Sequence, residues 1–92
     1  MQMPAKLGPI HIVGIGGIGM SAIAEVLHAQ GYTVQGSDQK DGYNLDRLRD
    51  KGMKIFVGHD AKNIDGAVAV VISTAVKPGN PELDGARAKG LP

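Results

Sequence analysis

Short apolar runs alternating with helical or polar stretches set the rhythm of this chain. The first, Ile10-His11-Ile12-Val13, predicts a strand, and a glycine-rich turn follows it, Gly14-Ile15-Gly16-Gly17-Ile18-Gly19. From Ile18 to Gln30, Met20, Ile23, Ala24 and Leu27 recur at i, i+3, i+4 and i+7, with Ser21, Glu25 and His28 on the opposing stripe. That period predicts an amphipathic helix with the apolar stripe on the core, and Gly31 is placed to stop it from the C′ position. Thr33 to Gly36 predicts a second strand ending at Ser37-Asp38. Asn44 reads as the N-cap of a short helix that carries Leu45 and Leu48 and ends at Gly52. A third strand is expected over Lys54 to Val57, then one helical turn capped by Asp60 before Asp65-Gly66. Ala67 to Ile72 is almost uniformly apolar, which predicts an inner strand buried on both faces. Asn80-Pro81-Glu82 reads as N-cap, N1 proline and first-turn acid of a last helix reaching Lys89.

Strands alternating with helices predict an α/β fold, a Rossmann-like doubly wound parallel sheet. Four strands are present. The helix that ends at Gly90-Leu91-Pro92 should feed a fifth, so residues 1–92 are expected to be one domain of a larger protein with the fifth strand cut off. A sheet edge without its neighbour invites pairing with a second copy, so self-association is expected as well.

The glycine turn carries the chemistry. A G-x-G-x-x-G alone is weak, because glycine-rich turns are common. Here it lies between a strand and a helix, with an acid, Asp38, nineteen residues past Gly19 at the end of the next strand. That context is what a nucleotide-diphosphate site requires. Gly14 allows the tight turn, Gly16 lets the backbone approach a pyrophosphate, and Gly19 is expected to let helix and strands pack closely. The first N–H groups of the helix lack intrahelical partners, and the helix dipole places roughly half a positive charge there, so an anion is held without lysine or arginine.

Ligands of such sheets gather beyond the carboxyl ends of the strands. This selects the glycine turn, Ser37-Asp38, Gly58-His59 and Ser73-Thr74-Ala75. Asp38 can accept from ribose hydroxyls or cap its own turn, and His59 can pack on a base or stay in solvent. Ser73 and Thr74 can offer hydroxyls and N–H groups to phosphate or sugar, or simply end the strand. His11, inside the first strand, reads as a packed histidine rather than a ligand.

Composition narrows the function by exclusion. With 92 residues, 42% hydrophobic and 21% charged, the chain is an ordinary globular domain. A net charge of +1 without a basic cluster, and three aromatics, argue against nucleic acid and membrane surfaces as partners. No cysteine is present, which suits a reducing cytoplasm. The dispersed histidines suggest no metal site, and neither a nucleophile elbow nor a G-x-x-x-x-G-K-[ST] loop occurs. The residues show a binding site without catalytic machinery. They leave open a nucleotide-sugar domain, a fragment of an NAD-binding domain from a dehydrogenase or regulatory module, and a structural module.

The stretch from His11 through Gly14-Ile15-Gly16-Gly17-Ile18-Gly19-Met20-Ser21 to Leu27 resembles the opening of the bacterial muramyl ligases. Gly31-Tyr32, Gly36-Ser37-Asp38, Gly58-His59, Val71 to Ala75 and Asn80-Pro81-Glu82 match in register, so the resemblance runs from Gly8 to Pro92. Within the family, the chain is most similar to the branch that adds L-alanine. The resemblance implies an N-terminal domain holding the UDP end of UDP-N-acetylmuramate for peptidoglycan precursor synthesis in the bacterial cytoplasm. Gly16, Gly17, Ile18, Gly19 and Met20 would contact the diphosphate and Ser37-Asp38 the uridine. His59, Ser73, Thr74, Ala75 and Asn80 would complete the pocket. It also implies a central domain with ATP and Mg²⁺ and a C-terminal domain for the amino acid, both outside this chain, which alone should bind substrate and ligate nothing. UDP is one nucleoside plus a diphosphate, a load that a single mononucleotide-binding half can hold.

Overall fold

The computed structural model describes residues 8–73 and 76–92. Strand β1 (Ile10–Val13) leads through the glycine turn into helix α1 (Ile18–Ala29). Then follow β2 (Val34–Asp38), α2 (Tyr43–Asp50), β3 (Lys54–Val57), a 3₁₀ turn (Ala61–Ile64), β4 (Ala69–Val71) and α3 (Pro81–Ala88). The strands form one parallel sheet in the order β3-β2-β1-β4, with Ile12 opposite Gly36 and Val71, and Gly36 opposite Ile55. This is the α/β, doubly wound architecture that the alternation predicts.

The period of two along the strands divides the core. Ile12 and Val34 point to one face and pack with Ile15, Ala24, Leu45, Leu48 and Met53 from the α1 and α2 side. On the other side Ile64, Ala67 and Ala86 join the 3₁₀ turn to α3. His11, Gln35 and Ser37 occupy the intervening strand positions and are buried too. A polar row under a helix has to be fully hydrogen-bonded, and it is: among the described residues no buried side-chain nitrogen or oxygen lacks a partner.

Three local expectations change. Ser21, expected on the polar stripe, is buried, and Ile23, expected in the core, is 43% exposed. Helix α1 packs on α2 as well as on the sheet, which turns Ser21 inward; its hydroxyl donates to the Ile18 carbonyl and accepts from Asn44 Nδ2. Gly42, not Asn44, precedes α2 as N-cap. Asn44 sits inside the helix, where its amide donates to the Gly16 carbonyl at 2.7 Å. Gly19 is exposed and a Cβ there would meet nothing within 4 Å, so it has no role in close packing. The close approach occurs at Gly36, where an added Cβ would lie 2.5 Å from Ile15 Cδ1. Strand β4 is three half-buried residues paired with β1 on one side, and on its other side the Val70 N–H donates to the Pro92 carbonyl. No second strand covers its outer side among the described residues.

Candidate functional site

The chain runs outward from β1 to β2 to β3 and then places β4 on the opposite side of β1. The connections therefore diverge beyond the ends of β1 and β4, which leaves a crevice there. A cleft of about 750 Å³ occupies this point, a size that accepts a small organic ligand. One wall is the glycine turn and the start of α1, through Val13, Gly14, Gly17 and Met20; another is Asp38 with His59; the third is Ser73 together with the segment from Val76 to Pro81.

The turn is shaped for its place. Gly14 has φ +75°, open to glycine and strained for other residues, and the Gly14 and Ile15 N–H groups both donate to the Ser37 carbonyl. The Gly16 N–H donates to Asp38 Oδ2 at 2.9 Å, so the acid at the end of β2 latches the turn. Helix α1 starts from Gly17 with no side-chain cap and no acid in its first turn. By contrast Asn80 caps α3, its Oδ1 accepting from the Glu82 and Leu83 N–H groups. The start of α1 thus keeps its positive dipole end and its N–H groups for the cleft.

Below the cleft lies a buried polar cluster centred on Glu82. Its Oε1 accepts from His11 Nε2 at 2.9 Å and from the Ser37 hydroxyl at 2.5 Å. Its Oε2 accepts from Asn63 Nδ2 at 2.6 Å and from the Asp60 N–H at 3.2 Å. His59 Nδ1 lies 3.0 Å from Ser37 Oγ and 3.4 Å from Glu82 Oε1. Burial pushes the Glu82 carboxyl up, but hydrogen bonds from His11, Ser37 and Asn63 outweigh it and hold the group at about 2, below its ordinary 4.5.

The family described as "Mur ligase family, catalytic domain" matches residues 9–92. The chain belongs to the Mur ligase family. Over its whole length it is 63% identical to a UDP-N-acetylmuramate–L-alanine ligase of Methylobacterium radiotolerans and 64% identical to one of Bradyrhizobium diazoefficiens. It covers 20% of each, so it spans about one fifth of the length of these curated relatives. The crystal structure of UDP-N-acetylmuramate-alanine ligase from Thermotoga maritima matches with a TM-score of 0.88 at 41% identity, over 92% of this chain and 20% of that one. A UDP-N-acetylmuramate:L-alanyl-gamma-D-glutamyl-meso-diaminopimelate ligase from Neisseria meningitides matches with a TM-score of 0.85 at 31% identity, over 94% and 28% respectively.

Against this Mur ligase background, the sequence-predicted residues fall into three groups. Gly17, Met20, Asp38, His59, Ser73 and Asn80 line the cleft together. Gly16 and Ile18 border a neighbouring groove between α1 and α2, Gly19 is exposed, and Ser37 is fully buried with its hydroxyl turned to Glu82. Thr74 and Ala75 lie outside the described residues. Sequence reasoning assigned Glu82 to the first turn of a helix and missed its burial; Asn63, Gln35 and Lys77, which borders the cleft, were not singled out. The only local signal for Glu82 was its spacing from the capping Asn80. Among the described residues no three His, Asp or Glu side chains gather as metal ligands. No G-x-x-x-x-G-K-[ST] phosphate loop occurs in the chain either. No described helix is long and apolar enough to cross a membrane.

Proposed function

We propose that this chain is the N-terminal nucleotide-binding domain of an ATP-dependent ligase that joins L-alanine to UDP-N-acetylmuramate, and that its cleft holds the UDP. The observation that carries this reading is the uncapped start of α1 facing the switch-point cleft, in a chain 63% identical to ligases of that name. The diphosphate lies against the N–H groups of the first turn of α1, where the dipole favours it. The nucleoside lies between Asp38 and His59, and Ser73 with the segment from Val76 to Asn80 closes the third side. ATP, Mg²⁺ and the amino acid belong to the remaining four fifths of such ligases, so the chain alone binds and does not ligate.

An amide NMR titration tests the reading. UDP-N-acetylmuramate should shift Gly16 to Met20, Asp38, His59 and Ser73, and NAD should not. Shifts with NAD alone, or with neither ligand, would overturn it.

A further inference from the structure

Two acceptors fix the orientation of the Gln35 amide. Its Nε2 lies 2.7 Å from the Asn63 carbonyl oxygen and 2.8 Å from His11 Nδ1. The carbonyl can only accept, so the Gln35 nitrogen donates there, and its second N–H meets a bare His11 Nδ1. The His11 proton is therefore on Nε2, from which it reaches Glu82 Oε1. On the other side of the same carboxylate oxygen the order is reversed. Ser37 has a single hydroxyl proton, and it goes to Glu82. Ser37 Oγ then has only lone pairs to offer His59 Nδ1, so that nitrogen has to carry the His59 proton. The ring is 12% exposed and lines the cleft, and its Nε2 has no hydrogen-bond partner among the described residues.

We propose that Glu82 is a positioning residue of the cleft: through Ser37 it sets His59 in the Nδ1–H tautomer and leaves Nε2 as a hydrogen-bond acceptor for the ligand. The inference rests on the reading of the cleft as a nucleotide site and narrows it. A bare ring nitrogen repels phosphate oxygens and accepts from N–H and O–H groups. His59 thus takes a ribose hydroxyl or the imide N–H of a base, while the diphosphate is left to the start of α1. Glu82 itself is fully buried and touches no ligand. Because it stands in the first turn of α3, it also ties the cleft wall at Asn80 and Pro81 to the middle of β1 at His11 and the end of β2 at Ser37.

The test is a ¹⁵N spectrum of the histidine rings in the chain without ligand, at about pH 8 where histidine is ordinarily neutral. UDP titrations of the wild type and of Ser37→Ala follow. The wild type should show opposite tautomers, with the proton on Nδ1 in His59 and on Nε2 in His11. Ser37→Ala should move His59 toward the Nε2–H form and weaken UDP binding about three- to tenfold, the worth of one hydrogen bond, with the His11 signals kept. A wild-type His59 proton on Nε2 overturns the proposal, and this result does not depend on any variant folding. So does a Ser37→Ala chain with unchanged tautomer and UDP affinity. A wild type that ignores UDP would overturn the nucleotide reading instead, while the two tautomers still decide the Glu82–Ser37–His59 arrangement.

Discussion

Replacing Glu82 by glutamine should remove a large part of the acid sensitivity of this fold. In the folded chain the carboxyl titrates at about 2, against an ordinary 4.5. A folded value below the unfolded one means that the stabilisation is complete above pH 4.5 and is lost as the pH falls toward 2. At about 1.4 kcal/mol per pH unit, the gap is worth about 3 kcal/mol at neutral pH, of which about 2 kcal/mol is gone by about pH 3. A glutamine can still accept from Ser37 and His11 on one side, but its amide then faces two donors, Asn63 Nδ2 and the Asp60 N–H. Glu82→Gln should therefore be less stable near pH 7 by about 1–3 kcal/mol and should lose little more on acidification. Urea unfolding followed by circular dichroism, on both chains between about pH 7 and about pH 3, gives the comparison. The exposed carboxylates, Asp41 among them, titrate in both chains and cancel in the difference. Parallel stability curves for wild type and Glu82→Gln would refute the reasoning, because the acid loss would then belong to other groups.

Two further substitutions probe the glycines. Gly36→Ala puts a Cβ 2.7 Å from the Ile12 carbonyl oxygen, backbone of the paired strand, as well as against Ile15. The sheet has to shift, so stability should fall by about 3 kcal/mol, and an unchanged urea midpoint would count against the packing described. Gly16→Val meets the end of a side chain instead, with its Cβ 2.8 Å from Asp38 Oδ2. The carboxylate can swing away, so the fold should persist while the turn loses its latch and UDP affinity drops about tenfold or more, about 1.4 kcal/mol or beyond. Calorimetry showing wild-type affinity would remove the turn from the binding mechanism.

Much of the molecule was legible from chain neighbours alone. The glycine turn, the third strand, the Asp60 and Asn80 caps and the N1 proline all stand where the pattern puts them, because each answers to geometry within a few residues. The same applies to Asp38, His59 and Ser73 as cleft residues, since strand ends are local features and the doubly wound fold gathers them. Alternation of strand and helix also determines a parallel sheet, since each crossover returns the chain in the same direction.

What the alternation does not contain is the side of β1 on which β4 lies. That choice fixes where the cleft opens, and it goes with the packing of α3 and the 3₁₀ turn around Ile64. Nor could the period of α1 show that Ser21 turns inward, because its partner Asn44 comes from another helix. Glu82 is the clearest case. It meets Ser37 across 45 residues and His11 across 71, and neither separation leaves a trace in any local window. The hydrophobic period records only that a position is covered. Whether a covered acid stays charged depends on the donors that the folded sheet brings to it, and only the tertiary structure assembles those.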